Sequence, residues 1–186
     1  LQHDAKTRAE NLMIVDLLRN DLSTVSDPAS VQVPVLMGVE SYATVHQLVS
    51  TVTARLKPEI SAVHASAACF PGGSMTGAPK PSTMNIIEDL EARPRGIYSG
   101  ALGFFSVDGG ANLSIVIRTL VAHDNGLITL AAGGAIVADS DPNAEYEEML
   151  TKLRAALPPS VGHIVEKGVS KQSATAATDR ESLGIL

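Results

Sequence analysis

At 186 residues and 45% hydrophobic, the chain is long enough for one domain with a substantial core and too short for two comfortable ones. Aromatic residues are only 3%, so packing falls to Val, Ile, Leu and Ala. The formal net charge of −6, with no basic block or aromatic-interleaved patch, argues against a nucleic-acid surface. Ala9, Met13, Ile14 and Leu17 recur at helical spacing, which predicts a first helix over residues 5–20. A turn at 23–28 leads to two extended, β-rich runs, 31–39 and 44–56. A short helix over 62–68 then runs into Pro71-Gly72-Gly73-Ser74-Met75-Thr76-Gly77-Ala78-Pro79-Lys80. That stretch is too rich in chain breakers for regular structure, yet its backbone donors and hydroxyls suit a polar anion. Pro79 and Pro81 fit the first turn of the helix that follows at 82–91, because that turn's N–H groups have no intrahelical partner. Strands are predicted at 100–107, 111–122 and 126–132, joined by hairpin turns at Asp108-Gly109-Gly110 and Asp124-Asn125-Gly126. Asp141 or Asn143 caps a last helix that runs to 157 and stops at Pro158-Pro159. Residues 158–186, Ser/Ala/Thr-rich from Lys167, read as a flexible or weakly packed tail. A strand-rich middle between helices reads as an α+β fold with a mainly antiparallel sheet.

Several classes drop out on chemistry. The lone Cys69 excludes an internal disulfide framework and a multi-cysteine zinc site. The longest apolar stretch, 127–138, falls short of the ~20 residues a membrane helix needs. No signal-peptide pattern opens the chain, so a soluble, cytoplasmic protein is expected. The Gly72 to Gly77 spacing superficially suggests a P-loop. Ala78-Pro79-Lys80 follows instead of Lys and Ser/Thr, and Pro79 removes an N–H that a phosphate cradle would use.

The last helix carries Glu145, Glu147, Glu148 and Lys152. Positions 145, 148, 149, 152, 153 and 156 share one side of a 3.6-residue period, which places Glu145 and Glu148 with Met149, Leu153 and Ala156 toward the core. Glu10 is likewise in line with Met13, Ile14 and Leu17. Buried carboxylates are costly unless paired or bound to a cation, and a hard cation such as Mg²⁺ takes one or two of them. The plainer reading is a set of boundary carboxylates, with Glu148 and Lys152 as an i,i+4 surface pair. His46, in a strand-like run, is either a satisfied sheet residue or a proton-handling group. Arg118 follows an apolar strand as a carboxylate clamp or an ordinary salt-bridge member. Tyr98 is a core or rim aromatic. Gly133-Gly134-Ala135 is either an anion-binding turn or a plain tight turn.

Five segments taken in order resemble the chorismate-utilising enzymes, the family of anthranilate, aminodeoxychorismate, isochorismate and salicylate synthases. They are Ala9-Glu10-Asn11-Leu12-Met13-Ile14-Val15-Asp16-Leu17 with Arg19-Asn20-Asp21, Val45-His46-Gln47-Leu48-Val49-Ser50, the Pro71 to Lys80 stretch, Ile117-Arg118-Thr119, and the run from Ala132 to Ser140 that leads to Glu145 and Glu148. The resemblance covers residues 4–157 and implies that residues 1–157 are the C-terminal part of a chorismate-binding catalytic domain. The Pro-Gly-Gly-Ser-x-Thr-Gly-Ala-Pro-Lys spelling is similar to the aminodeoxychorismate synthase component I branch; the anthranilate branch usually has Pro-Ala-Gly-Thr-x-Ser there. This implies amination of chorismate to 4-amino-4-deoxychorismate, for para-aminobenzoate and folate synthesis, with ammonia from a glutaminase partner.

The resemblance also assigns roles. Glu10 and Glu148 correspond to Mg²⁺ ligands, with Glu145 orienting water on the metal. Arg118 and Tyr98 correspond to the clamp on the enolpyruvyl carboxylate, and Lys152 with the amides of Gly133 and Gly134 to further substrate contacts. His46 and Thr76 are the candidate catalytic residues, with Ser74 beside Thr76 in the pocket wall. Ala135 departs from a glycine usual in that turn. The branch's upstream Pro-Ile-Lys-Gly-Thr, whose lysine attacks the ring, is not in this sequence. A C-terminal fragment is therefore expected, inactive alone, with exposed sheet edges open to pairing with another copy. The rival readings are anthranilate synthase component I and, in another class, a non-catalytic anion- or partner-binding module.

Overall fold

Asp4 opens the first helix: its carboxylate accepts the Thr7 N–H at 2.7 Å, the usual cap for an otherwise unpaired first-turn donor. The computed structural model describes residues 4–157 apart from 44, 92 and 139. Helix α1 spans Ala5–Val25, five residues beyond the predicted end at 20. Its inward stripe continues through the buried Asp21 and Val25. Ser26 then closes the last turn, with its N–H and hydroxyl both donating to the Leu22 carbonyl at 3.0 and 2.6 Å.

Strands β1 (Gln32–Ser41) and β2 (His46–Thr53) form an antiparallel hairpin in register from Gln32 opposite Thr53 to Ser41 opposite His46. The register slips twice before Gly38, and Met37 takes a left-handed φ of 55° there. Strand β2 is shorter than its predicted 44–56 because the chain leaves the hairpin after Thr53. It returns to α1, bridging Ser26 with Leu56 and Asp27 N–H with the Arg55 carbonyl. Helix α2 (Ala62–Cys69) is capped by Ser61, and helix α4 (Lys80–Glu91) starts two residues before the predicted 82, with Pro81 in its first turn as expected and Pro79 just ahead of it. Between them the stretch read as wholly irregular contains one helical turn, α3 (Gly73–Thr76). Gly77, at φ 96°, ends it in a conformation that favours glycine.

Strands β3 (Ala101–Phe105) and β4 (Ala111–Ile115) pair across the Asp108-Gly109-Gly110 turn, with Gly109 at φ 92°. Strands β5 (Leu120–Ala122) and β6 (Ile128–Leu130) pair across a turn with Gly126 at φ 81°. The single strand expected at 111–122 is thus two. The break falls at 116–119, where Arg118 adopts φ 50° and the Val116 carbonyl turns to accept the Ser99 N–H at 3.0 Å. Helix α5 (Pro142–Ala156) is capped by Asp141, not Asn143: the Asp141 carboxylate accepts the Ala144 N–H at 2.8 Å. The predicted tail, 158–186, lies outside the described residues.

The fold is α+β, with three antiparallel ladders of two strands each among the described residues. The described residues form two compact units, 4–94 with 100–115, and 95–99 with 116–157. In the first, Val15 and Val25 are buried; in the second, Val116, Leu150 and Leu153 are. Among the described residues this is less core than the composition suggested. A two-stranded ladder cannot bury a face by itself, and β3 leaves Leu102, Phe104 and Phe105 exposed. No helix among the described residues is long and apolar enough to cross a membrane.

Candidate functional site

In the first unit, α1 is strapped to the β1–β2 hairpin by one polar knot. Ser50 donates its hydroxyl to Asn11 Oδ1 and accepts the Met37 N–H at 2.9 Å, while Asn11 Nδ2 donates to the Leu48 carbonyl at 3.3 Å. Asn11 follows Glu10, and Leu48 stands two residues from His46, so the knot fixes the helix and strand that carry both candidates. Glu10 is half-buried, with Lys6 Nζ at 3.8 Å. His46 is exposed at the start of β2, its Nδ1 2.9 Å from the Ser41 hydroxyl.

The Pro71 to Lys80 stretch is held by two further contacts. Lys80 Nζ lies 2.6 Å from Asp21 Oδ2 on α1 and donates to the Cys69 carbonyl at 3.3 Å. Both charged side chains are largely buried, at 15% and 11% exposure. Burial pushes the Cys69 thiol above the ordinary cysteine range; Asp21 adds to the rise and Lys80 opposes it. At the other end, buried Gly73 sits directly on Leu17, where an added Cβ would come within 2.2 Å of the leucine Cδ2. Gly72 faces Ile115, whose Cδ1 would be 2.9 Å from a Cβ. Thr76 donates its hydroxyl back to the Gly72 carbonyl at 3.3 Å, and Ser74 is exposed on the turn.

The second unit holds the remaining candidates, and Tyr98, Glu145 and Lys152 stand around the glycine turn. A Cβ on Gly133 would stand 3.1 Å from the Tyr98 hydroxyl; one on Gly134 would stand 3.2 Å from Glu145 Oε2 and 4.0 Å from Lys152 Nζ. Lys152 donates to the Gly133 carbonyl at 3.3 Å and pairs with Glu148 at 2.8 Å. Neither glycine N–H donates to another described residue. Tyr98 is tied into the same unit through Ser99, whose N–H reaches the Val116 carbonyl two residues before Arg118. Arg118 is exposed, in the left-handed region unfavourable to a long side chain, and has no ion pair with another described residue. An ammonium, a guanidinium, a phenol and two main-chain N–H groups in one unit make a chemistry suited to carboxylates.

The sequence profile of the chorismate binding enzymes matches residues 1–158. The chain belongs to this family. An aminodeoxychorismate synthase of Streptomyces pristinaespiralis is 60% identical over 152 residues, which is 82% of this chain and 21% of that protein. A chloroplastic aminodeoxychorismate synthase of Arabidopsis thaliana is 55% identical over 155 residues, 83% of this chain and 17% of the relative. Among solved structures, anthranilate synthase component I from Streptococcus pneumoniae TIGR4 superposes with a TM-score of 0.76 at 41% identity, covering 82% of this chain and 35% of the other. The chain therefore spans about a fifth of the length of these curated relatives.

In this chain of the chorismate binding enzyme family, the two α5 carboxylates expected on one inward face separate. Glu145 is buried at 6% exposure, as expected, and its Oε1 accepts the Ser140 hydroxyl at 2.6 Å. Glu148 does not face the core: its side chain is half exposed beside Lys152, because the buried stripe of α5 runs through Glu145, Leu150 and Leu153 instead of Met149 and Ala156. Among the described residues no three His, Cys, Asp or Glu side chains stand together in a metal-sized group. Carboxylate oxygens are nonetheless the donors Mg²⁺ prefers, and it needs only one or two beside water and substrate. Glu148, half exposed one turn beyond Glu145 on α5, offers such oxygens, one of them 2.8 Å from Lys152 Nζ.

Three polar residues were present in the sequence motifs without a role: Asn11, Asp21 and Ser140. Asp21 had a legible signal, since it continues the apolar stripe of Ile14 and Leu17 and a carboxylate there needs a partner. Lys80 as that partner, 59 residues away, was not legible.

Proposed function

We propose that this chain belongs to an Mg²⁺-dependent synthase that aminates chorismate to 4-amino-4-deoxychorismate, with ammonia from a glutaminase subunit or domain. The observation that carries the reading is the glycine turn of the second unit, with Tyr98, Glu145 and Lys152 around it, in a chain of the chorismate-binding family. Its relatives named aminodeoxychorismate synthase supply the product, and the Gly72-Gly73-Ser74 spelling leans the same way. A cytoplasmic setting goes with this proposal, though the Arabidopsis relative is named chloroplastic.

In this reading Arg118 and Tyr98 hold the enolpyruvyl carboxylate, by a bidentate guanidinium fork and a phenolic hydrogen bond. Lys152 and the N–H groups of Gly133 and Gly134 hold substrate oxygens. Ser74 and Thr76 line the ring, and His46 moves a proton beside it as ammonia enters and the ring hydroxyl leaves. Glu10 and Glu148 would hold Mg²⁺ through carboxylate oxygens, with Glu145 orienting the ion's water. When bound, the ion contributes Lewis-acid neutralisation of the ring carboxylate.

Incubating the full-length protein with chorismate, ammonium and Mg²⁺, and resolving products by chromatography, tests the reading. The expected product is 4-amino-4-deoxychorismate. Anthranilate with pyruvate would instead favour the tryptophan-branch activity, to which the 41% identity with the Streptococcus pneumoniae protein gives specific support. Absence of Mg²⁺-dependent chorismate binding in calorimetry would leave only a non-catalytic binding module.

A further inference from the structure

Resting on the reading of Glu145 as part of the Mg²⁺ site, we propose that Ser140 is a positioning residue that fixes the Glu145 carboxylate for metal and substrate. The Ser140 hydroxyl donates to Glu145 Oε1 at 2.6 Å and accepts the Val137 N–H at 3.1 Å. The Ser140 N–H closes the same turn on the Val137 carbonyl at 3.0 Å. A hydroxyl has one proton. With the Val137 N–H on its oxygen, that proton is directed at the carboxylate. On the far side, Glu145 Oε2 lies 3.2 Å from where a Cβ on Gly134 would stand. The carboxylate is therefore confined between the serine and the glycine turn. At 6% exposure, it cannot readily replace a lost hydrogen bond with bulk water.

Both contacts lie within the second unit, and Ser140 acts through Glu145 without needing to touch chorismate. Groups that orient a metal-binding carboxylate typically matter about 10–100-fold in metal affinity or activity. A carboxylate that turned away from Ser140 would shift its oxygens relative to the metal and to Gly134.

The decisive comparison is Ser140→Thr against Ser140→Val, which differ only by a hydroxyl for a methyl. Mg²⁺ affinity would be measured by calorimetry on the full-length protein, with kcat and KM for chorismate recorded beside the melting temperature. Thr is expected to stay within about threefold of wild type in Mg²⁺ affinity, and Val to lose about tenfold or more, with kcat falling further than KM rises. A merely structural serine would lower the melting temperature of the Val variant without changing its Mg²⁺ affinity, and that result overturns the proposal. Glu145→Gln separates the failures. Weakened Mg²⁺ binding in Glu145→Gln with normal binding in Ser140→Val removes Ser140 and keeps the Glu145 reading. Normal binding in both, or none in wild type, removes the Glu145 reading and this inference with it. Should Ser140→Val not fold, Ser140→Cys takes its place as a poorer donor. Reduced affinity in Cys supports the proposal, and affinity equal to wild type overturns it.

Discussion

Lys80 and Asp21 form the ion pair that ties the Pro71 to Lys80 stretch to α1, and its removal should cost far more than a surface pair does. The perturbations are Lys80→Met, Asp21→Asn and the double variant. At 2.6 Å the Coulomb attraction is about 6 kcal/mol for an effective dielectric constant near 20. Much of that is offset by the desolvation of two side chains only 15% and 11% exposed. Removing one partner leaves the other charge buried and alone, which typically costs about 3–5 kcal/mol; the residual exposure argues for the lower end, ~3 kcal/mol. Lys6 and Glu10, 3.8 Å apart and 40% and 32% exposed, provide an internal contrast worth about 0.3–0.5 kcal/mol. Urea unfolding at constant m gives the differences, and the double variant should lose less than the sum of the singles by about 2 kcal/mol. Cys69 offers a second readout. Its thiol is already pushed up, so the pH midpoint of alkylation should lie above that of a free cysteine. Lys80→Met should move that midpoint higher, because the ammonium opposes the rise, and Asp21→Asn should move it lower. Single variants that cost under about 1 kcal/mol and add without coupling would refute the argument, since they would show a pair that behaves as solvent-screened.

The two glycines of the Gly72-Gly73 spelling should differ sharply. Gly73→Ala drives a methyl against the Leu17 side chain inside a packed site and should destabilise by about 1–3 kcal/mol in urea unfolding, whereas Gly72→Ala meets only the movable tip of Ile115 and should be relieved by Ile115→Val. Ser50→Ala frees both Asn11 Oδ1 and the Met37 N–H; a loss of about 1–3 kcal/mol is expected, with faster amide exchange at Met37 in NMR. Asp141→Ala removes the α5 cap and should cost about 1 kcal/mol, largely recovered by Asp141→Ser. Arg118→Gly should relieve the left-handed backbone, leaving stability equal or higher, while chorismate binding in calorimetry falls at least tenfold. Unchanged chorismate binding would remove Arg118 from the carboxylate clamp.

The sequence by itself determined the local features whose causes are local. Asp141, one of two candidate caps, caps α5, Gly109 and Gly126 turn their hairpins, and α1, α2 and α5 begin where the sequence put them. Each depends on residues within a turn or two of one another, where periodicity and cap chemistry act. Ordered motifs also carried the family, because five spaced segments are far more specific than any one of them. Tertiary structure decided the rest. It extended α1 through Asp21 by giving that carboxylate Lys80, and it broke the 111–122 strand at Arg118 when Val116 turned to Ser99. It also separated two glutamates that helical spacing had put on one face, burying Glu145 against Ser140 and leaving Glu148 outside with Lys152. A period of 3.6 residues says which side chains share a side of a helix. Which part of that side is covered depends on groups distant in the chain, and only packing brings them there.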